Sequence, residues 1–258
     1  MNETVLVTGA SSGIGLELAK FFAADKSNLV LVARSTDALE KLAAELRGKH
    51  GIEANVVTAD LSLPESPSKI FSEIKGRGIT VDVLVNNAGF GLHGDFSEMP
   101  LKRQLEIVQV NIAALVDLSG LFLPGMIQRK RGGILNVGSV AGFLPGPHMA
   151  VYYASKAFVM SFSEALHEEL RGTGVTVTNL CPGATESNFS QVARSHHTRI
   201  TPATKMPTAT VAQAGHQAFR HAACFTVPGV VNKILTLAPN VLPRAFVRRV
   251  IGKYNGLK

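Results

Sequence analysis

The chain has 258 residues, 46% of them hydrophobic, enough for a full core in a single α/β domain spanning residues 1–258. Its net charge of +7 does not by itself mark a nucleic-acid binder, because the basic run Arg129-Lys130-Arg131 is short, precedes Gly132-Gly133 and suits a solvated helix end. Only two cysteines, Cys181 and Cys224, without metal-ligand spacing, point to a reducing, cytoplasmic setting. No signal peptide is expected, and no apolar run is expected to reach the roughly 20 residues that cross a bilayer.

Short β-branched runs alternate with longer helix-period segments. The first strand, Val5–Thr8, runs into Gly9-Ala10-Ser11-Ser12-Gly13-Ile14-Gly15, and a helix follows over Ile14–Ala24 with Ile14, Leu18, Phe21 and Phe22 at one-face spacing. Glycines at such a strand–helix turn let backbone N–H groups approach a pyrophosphate at the helix N-terminus. The Gly-x3-Gly-x-Gly spacing differs from the general dinucleotide fingerprint, but its place between the first strand and first helix makes it a strong signal. A second strand, Leu29–Ala33, ends before Arg34. An acidic residue there would bind a ribose 2′-OH, whereas an arginine can bond a 2′-phosphate, so the expected cofactor is NADP(H) in preference to NAD(H).

Further strands are expected at Ala54–Thr58, Val81–Asn86, Gly133–Val137 and Thr176–Leu180, with a seventh near Phe225–Val227. Helices are expected near Thr36–Gly48, Glu65–Arg77, Pro100–Arg129 and Val151–Arg171. Strands alternating with helices imply right-handed crossovers and a doubly wound parallel sheet, the Rossmann type of α/β fold. On the helix starting at Val151, Tyr152 and Lys156 stand four residues apart and project into one space. A cation there is expected to lower the phenol's pKa and produce a tuned acid/base. Tyr153 fails this spacing and is expected to pack or face the surface. Ser139 lies thirteen residues before Tyr152.

The aperiodic, polar segment Ala184–Pro207 follows the sixth strand and is expected to serve as a lid, within a substrate-lid region over residues 184–226. Beyond it, residues 228–258 form a helical extension. There Arg244, Arg248, Arg249, Lys253 and Lys258 alternate with Leu242, Phe246, Val247, Val250 and Ile251 in an amphipathic pattern. Packing on its own domain or on a partner subunit is preferred for this extension over docking on an anionic membrane. His93, His148, His196 and His197 lack metal-site geometry, and no metal is expected.

Together the segments Thr8–Gly15, Asp60-Leu61, Asn86-Asn87-Ala88-Gly89, Asn111, Ser139, Tyr152-x-x-x-Lys156 and Pro182-Gly183 resemble the classical subgroup of the short-chain dehydrogenase/reductase family, through about Asn188. The C-terminal part resembles a broad bacterial-type subgroup of carbonyl and ketoacyl reductases. The resemblance implies that Tyr152 gives the proton, that Lys156 lowers its pKa and holds the nicotinamide ribose, and that Ser139 bonds the substrate oxygen. It implies that Asn111 holds a water linking Lys156 to solvent, that Asp60 contacts the adenine and that Asn87 supports the cofactor. Gly9, Ser11, Ser12, Gly13, Ile14, Gly15, Leu61, Ala88, Gly89, Pro182, Gly183 and Thr185 would complete the cofactor site. Leu92, Phe143, Leu144, Pro145, Met149, Phe189 and Val192 flank the expected pocket and make it apolar. The expected activity is NADPH-dependent interconversion of a carbonyl and a secondary alcohol on a hydrophobic molecule, in a homo-oligomer. An alcohol dehydrogenase running oxidatively and a dinucleotide-sensing regulator remain as alternatives.

Overall fold

A computed structural model of the chain describes residues 3–186 and 205–256. Phe189, Val192 and most of the Ala184–Pro207 segment expected to act as a lid lie outside the described residues. Seven strands form one parallel sheet: β1 (Thr4–Thr8), β2 (Asn28–Ala33), β3 (Ala54–Thr58), β4 (Val83–Asn86), β5 (Gly132–Val137), β6 (Val175–Leu180) and β7 (Phe225–Thr226). Their order is β3-β2-β1-β4-β5-β6-β7. The chain builds outward from β1 to β3, then returns to the other side of β1 with β4. The carboxyl ends of β1 and β4 therefore feed connections to opposite faces, and the crevice between them is where such sheets bind ligands.

Strand alternation explains the two cores. Val5, Val7, Leu29 and Leu31 point to one face and pack with Leu18, Phe22 and Leu39, whereas Leu6, Val30, Val32 and Leu84 point to the other and pack with Ile70, Leu118 and Phe122. The covering helices are α1 (Gly13–Ala24), α2 (Thr36–His50), α3 (Ser66–Gly76), α4 (Leu101–Val108), α5 (Ala114–Arg129) and α6 (Ala150–Glu169), followed by α7 (Thr208–Arg220). α2 stops at Gly51, whose φ of +65° gives the left-handed cap that glycine adopts at little cost.

Three expectations change. The helix expected over Pro100–Arg129 is interrupted by a π-turn, Gln109–Ala113, which widens the coil around Asn111. That continuous stretch, Leu101–Arg129, is also long and apolar enough to cross a bilayer by length and composition, contrary to the sequence expectation. Part of its apolar character serves the core, where Ile107, Leu115, Leu118, Phe122 and Met126 are buried, while Leu101, Leu105, Val108 and Ile127 are exposed. Finally, the C-terminal extension is two helices, α8 (Val230–Val241) and α9 (Arg244–Asn255), separated at Leu242-Pro243.

Candidate active site

The glycine turn is shaped by what it touches. Gly9 has φ +65° and Gly13 φ +60°, values that disfavour a side chain. A Cβ on Gly9 would sit 2.8 Å from Asn87 Nδ2, and one on Gly15 would strike the same amide. Asn87 occupies that space because its Nδ2 donates to Thr8 O (2.8 Å) and Gly9 O (3.2 Å). Thr8 Oγ1 donates to Val85 O and accepts from the Asn87 and Ala88 backbone N–H groups, locking the ends of β1 and β4 together. Ser12 caps α1 without a side-chain bond to the described residues, so the first-turn N–H groups are available to an anion. The pared-down turn fits a dinucleotide pyrophosphate.

At the outer end of this crevice Arg34 is exposed just past β2. Asp60 follows β3. Burial works to raise its pKa, but bonds from Ser62 and the Arg34 and Arg103 cations outweigh it and hold the carboxyl below its usual range. Arg103, from α4, lies over the Phe90 ring at 4.8 Å. Leu61 is buried in the second core and so acts as packing there.

The other end of the crevice holds the titratable groups. Ser139 lies two residues past β5 and caps a 3-10 turn (Val140–Phe143), its Oγ accepting from Ala141 N at 3.1 Å and donating to Pro182 O at 3.3 Å. The same hydroxyl hydrogen-bonds the Tyr152 phenol. Lys156, one turn along α6, is buried and donates from Nζ to Val137 O at 2.7 Å, with Nζ 5.9 Å from the Tyr152 ring centre. Gly89 passes directly above: a Cβ there would lie 3.1 Å from Asn111 Oδ1 and 3.5 Å from Lys156 Nζ. Gly142 is similarly confined, since its Cβ would meet Lys156 O at 2.6 Å. Two segments that sequence reading associates only by order, Gly89 and Ser139–Gly142, thus close on Lys156 from different strands.

The electrostatics depart from the expectation for the phenol. Burial pushes Tyr152 up to about 12, the Ser139 bond opposing this, so the phenol is protonated at neutral pH rather than poised by Lys156. Burial also depresses Lys156 to about 8. The ammonium is held by a carbonyl, and its distance from the phenol lets desolvation dominate both groups. Tyr153 is removed from this centre: its hydroxyl pairs with Asn255 of α9, and burial raises its pKa too.

Asn111 makes three protein bonds. Its Oδ1 accepts from Phe90 N, and its Nδ2 donates to Phe90 O and Ser155 Oγ. Ser155 in turn donates to Tyr152 O at 2.7 Å. Ser155 is the connecting residue that sequence analysis did not single out, and Thr8 appeared there only as part of the Thr8–Gly15 segment, with no role of its own. Ser155 sits at i+3 from Tyr152 and one before Lys156, the only signal it offered. Pro182-Gly183 is backed by Asn232 of α8, whose side chain fills the space a Gly183 Cβ would need, and Thr185 donates to Gly183 O.

The expected pocket residues among those described do not all line one cavity. Phe143, Leu144 and Pro145 line a cavity of about 170 Å³ with Gly142, Ala157, Pro239, Arg244 and Val247. Leu92 and Met149 are buried outside it. Among the described residues no group of three or more His, Cys, Asp or Glu side chains could hold a metal.

Residues 3–198 match the family model for short chain dehydrogenase. A very-long-chain 3-oxoacyl-CoA reductase from Anas platyrhynchos is 34% identical over 205 residues, covering 77% of this chain but 65% of that relative's length. A short-chain dehydrogenase from Sphingobium yanoikuyae, solved in complex with NADPH, superposes with a TM-score of 0.81 at 30% identity, covering 94% of this chain and 97% of that one. The bulky-bulky ketone specific alcohol dehydrogenase from Comamonas testosteroni gives a TM-score of 0.78 at 29% identity, covering 94% and 96%. The chain belongs to the short-chain dehydrogenase family of oxidoreductases.

Proposed function

We propose that this short-chain dehydrogenase reduces a bulky or long apolar ketone with NADPH, with Tyr152 as the proton donor. The observation that carries the reading is the Ser139–Tyr152 hydrogen bond with the buried Lys156 ammonium one helical turn away. NADPH, when bound, supplies the hydride. Tyr152, with its pKa pushed up to about 12, is in the protonated form that a reduction consumes. Negative charge growing on the ketone oxygen meets the phenol O–H and the Ser139 hydroxyl. The phenolate left after transfer keeps the Ser139 bond, which favours the ionised form, while the buried Lys156 ammonium stands one helical turn away with Nζ 5.9 Å from the ring centre. Asn111 and Ser155 hold α6 against the Phe90 backbone, fixing the direction from which the phenol approaches.

Arg34 supports NADPH over NADH, because it is exposed directly after the second strand, where a guanidinium could bond an adenosine 2′-phosphate and an acidic residue would repel it. The apolar substrate class is supported by Phe143, Leu144 and Pro145 along the cavity, and by relatives named for bulky ketones and 3-oxoacyl thioesters. The free cysteines, Cys181 buried and Cys224 half-buried, support a reducing cytoplasmic setting.

The test is NADPH consumption, followed by absorbance, over a panel of ketones, aldehydes and 3-oxoacyl thioesters. Turnover is expected on bulky apolar ketones and lost in Tyr152→Phe. Tight NADPH binding with no carbonyl consumed would replace the reading with that of a dinucleotide-sensing protein.

A further inference from the structure

All 19 acidic residues stand at or before Glu186, so the last 72 residues carry none while holding ten lysines and arginines. The net positive charge of the chain therefore resides entirely in its C-terminal part. The two helices at that end are also poorly buried. Among the described side chains of α8 only Thr236 is buried, and on α9 only Val247 and Asn255. Val230, Ile234, Leu237 and Val241 follow one another at helical spacing along α8, and Val230 and Val241 are 73% and 78% exposed. On α9 Phe246 and Val250 form a second exposed strip, with Phe246 at 54%, and the connecting Leu242 is exposed too. Arg249 and Lys253 fall three residues after Phe246 and Val250 respectively, flanking that strip with cations.

Solvent-facing apolar strips bordered by cations, with no anion in the segment, fit a surface that is apolar inside and anionic at its rim. A second copy of the chain fits less well, because its matching face would bring a second set of uncompensated cations into a low-dielectric contact. We propose that α8 and α9 dock this protein on an anionic lipid bilayer, the apolar strips entering the headgroup boundary and Arg249 and Lys253 meeting lipid phosphates. α8 packs against the 3-10 turn that ends at Phe143, so the helix that docks lies beside that turn. Docking itself does not depend on turnover.

The full-length protein is sedimented with vesicles of phosphatidylcholine alone or mixed with phosphatidylglycerol, at low and high salt. It should bind the anionic vesicles, release at high salt and ignore the neutral ones. Arg249→Ala/Lys253→Ala should weaken binding about 30-fold, at roughly fivefold per cation. Phe246→Ser/Val250→Ser should also weaken it, while Lys41→Ala/Lys49→Ala on exposed positions of α2 should not. Circular dichroism of each variant checks that it folds. No binding to anionic vesicles would overturn the proposal, as would equal loss in the α2 variant, which would mark mere net charge. Light scattering supplies a further outcome against it: an oligomer that Phe246→Ser/Val250→Ser dissociates, in a protein that ignores vesicles, would assign the face to a second copy.

Discussion

Replacing Lys156 with Met should make the cofactor-free protein more stable while abolishing its turnover. The depression of Lys156 from 10.5 to about 8 by burial corresponds to about 3 kcal/mol that the folded state spends keeping the ammonium charged at neutral pH. Methionine has similar reach and no charge to desolvate, but it forfeits the bond to Val137 O, which offsets about 1–2 kcal/mol. The net expectation at pH 7 is a gain of about 1–2 kcal/mol. The pH dependence is the sharper signature. Between about 8 and 10.5 the unfolded chain holds the lysine proton and the folded protein does not, so wild-type stability rises with pH across that window. The advantage of Lys156→Met should therefore shrink by about 2 kcal/mol between pH 7 and pH 10. Tyr152, raised to about 12, contributes the opposite sign only above about 10, because there the unfolded phenol ionises first. Urea unfolding followed by far-ultraviolet circular dichroism is the suitable assay, since the chain has no tryptophan. A stability difference that stays constant from pH 7 to pH 10 would refute the claim that burial of a charged Lys156 destabilises the fold.

Tyr152→Phe should keep the fold and NADPH binding while lowering turnover by about 10²–10⁴-fold, and Tyr153→Phe should retain activity because that hydroxyl is paired with Asn255. Near-normal rates in the first variant and none in the second would show that the other phenol gives the proton. Arg34→Ala should weaken NADPH by roughly ten- to a hundredfold and NADH little, read from kcat/KM for each; wild-type parity between the two cofactors would remove the role given to Arg34. Asn87→Ala should cost about 1–3 kcal/mol in urea unfolding by freeing the Thr8 and Gly9 carbonyls of their bonds, and should weaken NADPH as the glycine turn relaxes. Unchanged stability and affinity would show that the turn holds its shape without that brace.

The sequence by itself determined the order and character of the elements. Alternating β-branched and helical periods require a parallel sheet with covered faces, and the strand-to-glycine-turn-to-helix junction at Thr8–Gly15 states its phosphate chemistry locally. The four-residue spacing of Tyr152 and Lys156 was equally legible, because helix geometry converts spacing into proximity. What only the tertiary structure decided depends on contacts between segments far apart in the chain. The brace from Asn87 to the glycine turn crosses from β4 to β1, and Ser155 matters through a bond to Asn111, 44 residues away. The direction of the Tyr152 shift followed the same rule. Spacing reports that a cation is near, but the pKa answers to desolvation by everything packed around the phenol. The π-turn at Asn111 and the split pocket residues belong to this class as well, since no local pattern encodes which side of a helix or loop the rest of the fold leaves open.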